Sequence, residues 1–502
     1  MRRRTVTANV LANLVNAGTS IAAAAISVPL VLHYVGLDGF GVWTLAQTAL
    51  IYTATAETGF GPAVQRFVSV AHGARDRVGA ARVVWSASGF YVALGAVVAL
   101  LTAALASPIV SLFDVPAALH DDAVAMFRIT GVAMLLALVA AGLANVLQGM
   151  ERFAAAAVAT AVSAAVFLGT AIALLADGRG LRGLAEAALA QYAVGVLVRA
   201  WMVRDVLVAA PFARVSRREA RELIGFSARL QVGVLSTLVN SQTDKLVVGL
   251  VATTAAIGEV GIGSQVAEAV RFMAGAALGP VLARLAIVHG EGAPRRLAVL
   301  YHQAEFVWLR LSVGLTVISC AVMAPLIDAW LGDEAGRAAL YGVLLTCAYG
   351  LSVLAAAPLA YLRAVGKPGL EARYGAVTIA ANVVLTIALG ISFGPVGVVS
   401  ATLVAYAGGT AWLFGRLHRV MPRRAEPARP GPARVVAAAV VTGAAAAGWA
   451  LLAVDVLPRW AALVAIGVGA AGAFAAYAVA ATGVRPSAAG LRALLVPDRV
   501  AQ

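Results

Sequence analysis

Nine charged side chains stand inside long apolar stretches of this 502-residue chain, and their types are the ones that could do chemistry. A charge at the centre of a membrane helix costs roughly 2.5–3.5 kcal/mol unless it faces water or a partner. We therefore expect all nine to face the interior of a helical bundle. They are Glu57, Arg128, Arg229, Asp244, Lys245, Glu268, Arg271, Glu305 and Arg310.

Three of these arginines are candidates for binding an anionic group. Arg271 and Arg310 stand near the middle of predicted helices, and Arg229 stands closer to a helix end. A guanidinium offers a planar fork of donors that suits phosphate oxygens. Glu268 precedes Arg271 by three residues, so the two share a helix face and pairing with each other is the alternative interpretation. The spacing leaves both interpretations open.

Glu57 is the candidate for ion or proton coupling. It precedes Gly59, Gly61 and Pro62, a set of residues that we expect to interrupt or kink the helix and free backbone carbonyls. A carboxylate at a broken membrane helix suits a proton or cation site. The same residues equally suit a local hydrogen bond that stabilises the kink.

Two further polar sets have open interpretations. Asp244 and Lys245 end the polar run at residues 240–245, which we expect to line water or to lock two helices together. Asn13 is the middle member of a stripe of three asparagines at helical spacing on the first predicted helix. That stripe faces a cavity or packs on a neighbouring helix.

The elements that position these residues are membrane helices. The chain is 61% apolar and 12% charged, against roughly 25% charged residues in soluble domains. Apolar runs of about 20 residues recur throughout, which predicts an all-α integral membrane protein with about fourteen transmembrane helices. The predicted spans are 6–34, 39–70, 80–105, 121–149, 153–176, 183–203, 223–251, 256–288, 299–324, 338–363, 372–392, 395–415, 434–454 and 460–482.

Enzyme chemistry finds little support in the sequence. The two cysteines, Cys320 and Cys347, lie in apolar runs and form no CxxC pair, and no phosphate-binding GxxxxGK motif is present. No predicted connection is long enough to hold a catalytic domain. The compact cluster at residues 120–122 (His-Asp-Asp) is interpreted as part of a solvated external loop.

The net charge of +14 at pH 7 would suggest nucleic acid in a soluble chain, but its distribution argues otherwise. Arginines cluster on alternate connections between spans, and the opposite connections at 34–38, 252–255 and 391–394 carry no Lys or Arg. This asymmetry is the positive-inside rule. It predicts that both termini are cytoplasmic and that nucleic acid is not a partner.

An internal repeat divides the chain. Gly61-Pro62 with Arg66 at the end of span 2 recurs as Gly279-Pro280 with Arg284 at the end of span 8. Six spans per copy give both copies the same orientation, so they are expected to be two pseudo-symmetric lobes around a central cavity. The predicted domains are 1–210 (N-lobe), 211–420 (C-lobe) and 421–502 (a C-terminal helix pair with a cytoplasmic tail).

Several segments together resemble the bacterial polysaccharide flippases, which transport lipid-linked oligosaccharides. They are residues 8–16, 28–30, 34–43, 57–61, 66–68 and 242–249. The family belongs to the superfamily of multidrug, oligosaccharidyl-lipid and polysaccharide exporters, which also contains the lipid II flippase. The resemblance covers the first twelve predicted helices. Glu57 departs from it, because the family usually has Asp at that position.

The resemblance implies a flippase that moves an undecaprenyl-diphosphate-linked oligosaccharide across the bacterial cytoplasmic membrane by alternating access. Arg271, Arg229 and Arg310 would attract the diphosphate, with Glu268 and Asn13 nearby. Glu57, Asp244 and Lys245 would serve coupling or line the cavity. No resident cofactor is implied, and Na⁺ or H⁺ coupling stays open. Membrane lipids, a polysaccharide polymerase and glycosyltransferases are the expected neighbours.

Three other functions remain. A cation-coupled multidrug or metabolite exporter of the same superfamily would prefer acidic residues in an apolar, aromatic cavity. A lipid II flippase would share the C-terminal helix pair, which in that relative helps to form a groove for the lipid tail. A membrane scaffold that organises polysaccharide enzymes would need no cavity.

Overall fold

The structure is a computed structural model that describes residues 2–213, 221, 243–276, 285, 288–365, 369–417 and 431–482. The regular secondary structure in these ranges is helical. Besides the helices labelled below, residues 243–251 form a helical segment. The helices are α1 (Arg2–Gly73), α2 (Arg77–Ser111), α3 (Ala117–Gly149), α4 (Phe153–Ala176), α5 (Gly180–Met202), α6 (Arg204–Leu207), α7 (Thr254–Ala276), α8 (Pro294–Leu331), α9 (Ala338–Leu354), α10 (Ala356–Ala364), α11 (Gly369–Leu417), α12 (Pro432–Val456) and α13 (Arg459–Thr482).

Ten helical segments in the described ranges are long and apolar enough to cross a membrane. Helices α1 and α11 each cover two predicted spans, and each is two helices joined at one glycine. Gly36 (φ 66°) and Gly394 (φ 61°) have the left-handed backbone that glycine adopts without steric cost. Both lie in short connections that the sequence predicts to be external. The predicted all-α, multi-pass membrane fold is confirmed.

The chain packs as two compact units, Met1–Gly258 (unit 1) and Glu259–Gln502 (unit 2). In unit 1, α3 packs against α1, α2 and α5. A Cβ added at Gly95 would lie 2.7 Å from the Cα atom of Leu135, so α2 and α3 meet almost backbone to backbone. Such close approach at small residues is a main source of helix association in lipid.

The first turn of α7 is fixed to α1 within unit 1. One carboxylate oxygen of Asp38 accepts hydrogen bonds from the Thr254 hydroxyl at 2.5 Å and from the Ala255 N–H at 3.0 Å. These donors lie at a helix N-terminus, where backbone N–H groups lack partners within the helix. A Cβ at Gly41 would stand 1.8 Å from the Thr254 carbonyl oxygen, so only glycine fits this crossing.

In unit 2 the C-terminal helices α12 and α13 pack on α8. The Tyr477 ring is fully buried against Gly314, and its hydroxyl donates to the Arg310 carbonyl at 2.7 Å. Alanines dominate the rest of this contact. The predicted lobe boundary near residue 210 stays a prediction, because residues 214–220 and 222–242 lie outside the described ranges.

Candidate functional site

Arg271 lies in α7 of unit 2, with its guanidinium over the aromatic ring of Tyr349. The guanidinium carbon is 4.4 Å from the ring centroid, a cation–π geometry. Tyr349 is 2% exposed in α9, and its ring meets Tyr406 of α11 edge to face at 6.4 Å. Three helices therefore fix the ring on which Arg271 rests, while Arg271 itself is only half-buried.

Glycines place α7 beside α9. A Cβ at Gly263 would lie 2.6 Å from the Gly342 N atom and 2.7 Å from the Ala338 carbonyl oxygen. Any larger residue would overlap the α9 backbone. Arg271 follows Gly263 by about two helical turns, and Tyr349 follows Gly342 by about two turns. The crossing at Gly263 thus positions the cation over the ring.

Glu268 lies one turn before Arg271 on α7 and is half-buried. Among the described residues, Glu268 forms no ion pair with Arg271. The contact of Arg271 in this part of the structure is the Tyr349 ring. The contact with the ring leaves the N–H groups of Arg271 unused.

Arg310 is held differently, although it also belongs to unit 2. It is 8% exposed in α8 and donates one N–H to the Phe306 carbonyl at 3.0 Å. Its guanidinium also lies over the Phe306 ring at 3.6 Å. The backbone carbonyl of Arg310 receives the Tyr477 hydroxyl, so this turn of α8 also anchors α13.

Asp244 and Lys245 lie in the helical residues 243–251 of unit 1 and are 3% and 6% exposed. Neighbouring residues on a helix point in different directions, so the two side chains contact different surroundings. Their burial favours the interpretation in which these two residues lock helices together.

The side chains of three predicted site residues lie outside the described part of the structure. Arg229 lies outside the described residues. Asn13 and Glu57 belong to α1, but their side chains lie outside the described part of the structure. The expected interruption near Glu57 is wrong, since α1 runs on through Pro62 and its one non-helical residue is Gly36. Membrane helices tolerate proline where neighbouring groups satisfy the freed carbonyl.

Two other expectations need correction. Arg128 is exposed rather than packed among the helices of unit 1. The cluster at residues 120–122 belongs to the start of α3 instead of a loop, and Asp122 of this cluster pairs with Arg182 at 2.7 Å. An ion pair between exposed side chains stabilises a fold by roughly 1 kcal/mol or less. The described residues contain no group of three His, Cys, Asp or Glu placed to hold a metal ion.

Sequence inspection missed several polar contacts. Arg199, near the end of α5, is 8% exposed and donates to the Gly195 carbonyl at 3.1 Å and to the Thr160 hydroxyl at 3.2 Å. On α8, Glu305 accepts from the Tyr301 hydroxyl at 2.7 Å and lies 3.3 Å from His302. The sequence carries a signal for both contacts. Arg199 is a charge inside an apolar run, and Glu305 follows Tyr301 by four residues and His302 by three, which places the three side chains on one helix face.

The two cysteines also meet in unit 2. The sulfur atoms of Cys320 in α8 and Cys347 in α9 are 3.6 Å apart, and both are free thiols. The sequence placed both residues in apolar segments but gave no indication that these segments are neighbours.

Comparison with solved structures identifies proteins that share this fold. The lipid II flippase MurJ, in an inward closed conformation, has a TM-score of 0.68 at 12% identity, with 91% of this chain and 97% of that chain covered. A multidrug resistance transporter of the MATE family, in an inward-facing conformation, has a TM-score of 0.63 at 16% identity, covering 82% and 95%. A transporter of the MOP superfamily from Pyrococcus furiosus has a TM-score of 0.53 at 16% identity and the same coverage. The chain therefore has the fold of these membrane transporters.

The family is given by the sequence itself. The family described as "Polysaccharide biosynthesis protein" matches residues 38–335, more than half of the chain. This protein belongs to that family, as the sequence motifs predict. No curated protein matches the chain significantly.

Proposed function

We propose that the protein is a flippase for an undecaprenyl-diphosphate-linked oligosaccharide, which it moves from the cytoplasmic to the external leaflet by alternating access. The family supports a role in polysaccharide biosynthesis, and the fold supports transport across a membrane. A cargo of this class combines a diphosphate, which needs cationic donors, with sugars that need polar surroundings. A transporter role accounts for these features without an enzymatic step.

The observation that carries the proposal is the state of Arg271. Its guanidinium lies over the Tyr349 ring and forms no ion pair with a carboxylate among the described residues. A guanidinium has five N–H donors in a planar fork, and a cation–π contact uses none of them. The N–H donors of Arg271 are therefore available to bind phosphate oxygens.

Flipping of a fluorescent polyprenyl-diphosphate oligosaccharide in proteoliposomes tests this assignment. We expect Arg271→Ala to reduce the rate at least about tenfold, because charge-assisted hydrogen bonds contribute roughly 1.5–3 kcal/mol. Arg271→Lys should be intermediate, since Lys keeps the charge and loses the fork. Arg295→Ala, at an exposed arginine outside the site, is the matched control. Wild-type flipping by Arg271→Ala would refute the role of this residue.

A cation-coupled exporter of the same superfamily is the alternative that the shared fold supports. Its cargo would be an organic cation, which a free guanidinium repels. Efflux of a cationic dye from cells that overexpress the protein would favour the exporter, above all if Arg271→Ala increased it. A lipid II flippase is distinguished in the proteoliposome assay by presenting lipid II as the labelled cargo.

The remaining roles are part of the same proposal. We place the protein in the bacterial cytoplasmic membrane with both termini cytoplasmic, beside a polysaccharide polymerase and glycosyltransferases. Arg229 and Arg310 are proposed to add positive potential, with Arg310 acting from a buried position. Coupling to Na⁺ or H⁺ is proposed to involve Glu57 or Asp244, and an imposed gradient of each ion in proteoliposomes tests it.

A further inference from the structure

A cavity of about 390 Å³ opens at the end of α5 in unit 1. This volume equals that of about a dozen water molecules. Two predicted connections lie at this end: the one that precedes span 5 and the one that follows span 6. The positive-inside pattern predicts that both are cytoplasmic. Its lining residues are Arg152, Met202, Arg204, Asp205 and Val208.

Two guanidiniums are held in place at this cavity by backbone carbonyls. Arg152 donates to the Met202 carbonyl at 2.6 Å, and Arg204 donates to the Trp201 carbonyl at 3.0 Å. These bonds cap the last carbonyls of α5, a structural role that uses one N–H of each side chain. Since a guanidinium has five N–H donors, most donors of both remain available.

One acidic group offsets part of this charge. Asp205 lines the cavity and forms an ion pair with Arg152, with a carboxylate oxygen 3.9 Å from the guanidinium, beyond hydrogen-bond distance. Glu151 precedes Arg152 and is exposed. Arg199 lies one turn before Met202 on α5, but it does not line the cavity, because its guanidinium donates to Gly195 and Thr160. The lining residues alone carry a net charge of about +1.

Large apolar side chains flank the cavity. Leu197 and Trp201 are 68% and 63% exposed on α5, and Val208 is 70% exposed just beyond it. The Arg204 guanidinium lies over the Trp201 ring at 4.5 Å. An exposed Trp beside a basic cavity at the end of a membrane helix is typical of the level of the lipid headgroups.

We infer that this cavity binds the headgroup of an anionic phospholipid of the cytoplasmic leaflet, with Arg152 and Arg204 on the phosphate and the acyl chains along Leu197 and Trp201. Basic cavities between membrane helices on the cytoplasmic side are suited to such headgroups. The lipid is a fixed component of unit 1 and not cargo, so the inference is independent of the proposed transport.

Native mass spectrometry of the delipidated full-length protein tests the site. The protein is titrated with phosphatidylglycerol and with phosphatidylcholine that has the same acyl chains. We expect one phosphatidylglycerol to bind at least about tenfold more tightly than phosphatidylcholine, and Arg152→Gln/Arg204→Gln to abolish this preference. The single variant Arg204→Gln should lose part of this preference for phosphatidylglycerol. Because Arg204 is exposed, this variant can be measured even if the double variant does not fold.

Arg77→Gln/Arg295→Gln removes the same charge from two exposed arginines on the same predicted face and should bind phosphatidylglycerol like wild type. An equal loss in this control would show that net charge alone attracts the lipid, which overturns the site. Equal binding of both lipids to the wild-type protein would also overturn it. Displacement of the lipid by glycerol phosphate at similar concentration would show that the cavity recognises free phosphate and would overturn the assignment to a lipid.

Discussion

Replacing Asp38 by Ala should destabilise unit 1 at the start of α7. The substitution removes the acceptor for the Thr254 hydroxyl and the Ala255 N–H, and Thr254 is fully buried. Loss of a side-chain acceptor at a helix N-terminus costs about 0.5–2 kcal/mol, and loss of a negative charge at the positive end of the helix dipole costs about 0.3–1 kcal/mol. We expect the free energy of unfolding to fall by about 2 kcal/mol.

Thermal unfolding in detergent measures this change. For units of this size about 1 kcal/mol corresponds to roughly 2–4 °C, so Asp38→Ala should lower the apparent Tm by about 4–8 °C. Asp38→Asn keeps an acceptor oxygen and loses only the charge, and its Tm should fall by about 1–4 °C.

Asp121→Ala is the matched control for this prediction. Asp121 is exposed in the second turn of α3, where the helix-dipole effect is weaker than at the first turn, and it forms no hydrogen bond in the described structure. Its loss should therefore cost less than about 1 kcal/mol. If Asp38→Ala and Asp121→Ala lowered the Tm equally, the two hydrogen bonds to α7 would contribute nothing and the reasoning would be refuted.

Two further substitutions test packing in unit 2. Gly263→Val should separate α7 from α9, because its Cβ would stand 2.6 Å from the α9 backbone, and the yield of monodisperse protein should fall sharply. Gly169→Val, at a glycine with open space around its Cβ position, should express normally, and equal yields would contradict the crossing. Tyr477→Phe removes a hydrogen bond between α13 and α8 and should lower the free energy of unfolding by about 0.6–1.7 kcal/mol. An unchanged Tm for Tyr477→Phe would show that apolar packing alone holds α13.

The membrane helices are predictable from the sequence because the signal is local and strong. An apolar run of sufficient length has few alternatives to a helix in lipid, where every backbone group needs a partner within the protein. The turns at Gly36 and Gly394 are predictable for the same reason. Each glycine lies in a short connection between two apolar runs, and glycine tolerates the positive φ of such a turn. The predicted break at Pro62 was wrong because neighbouring helices decide whether a proline ends a membrane helix.

The candidate site is less predictable, because it depends on how helices rotate and cross. Depth in the membrane can be counted along the chain, and it favours Arg271, Arg310 and Glu57. The position of Tyr349 under Arg271 depends on the α7–α9 crossing at Gly263, and nothing in the sequence links two residues so far apart. Glu268 was equally well spaced to pair with Arg271, so spacing alone did not decide between ring and carboxylate.

The way each of three intramembrane arginines is held supports the proposed role of Arg271 over one for Arg199 or Arg310. Arg199 and Arg310 donate to carbonyls of their own helices, and these bonds use donors and fix the side chains. An aromatic ring positions Arg271 through the attraction between its quadrupole and the cation, roughly 0.5–2 kcal/mol, and leaves the N–H groups unused. A carboxylate partner would have to be displaced before a diphosphate could bind. A ring offers no competing acceptor, so under the proposed function the cargo would gain the full fork of donors on binding, and on release the guanidinium would return to a stable position without a counterion.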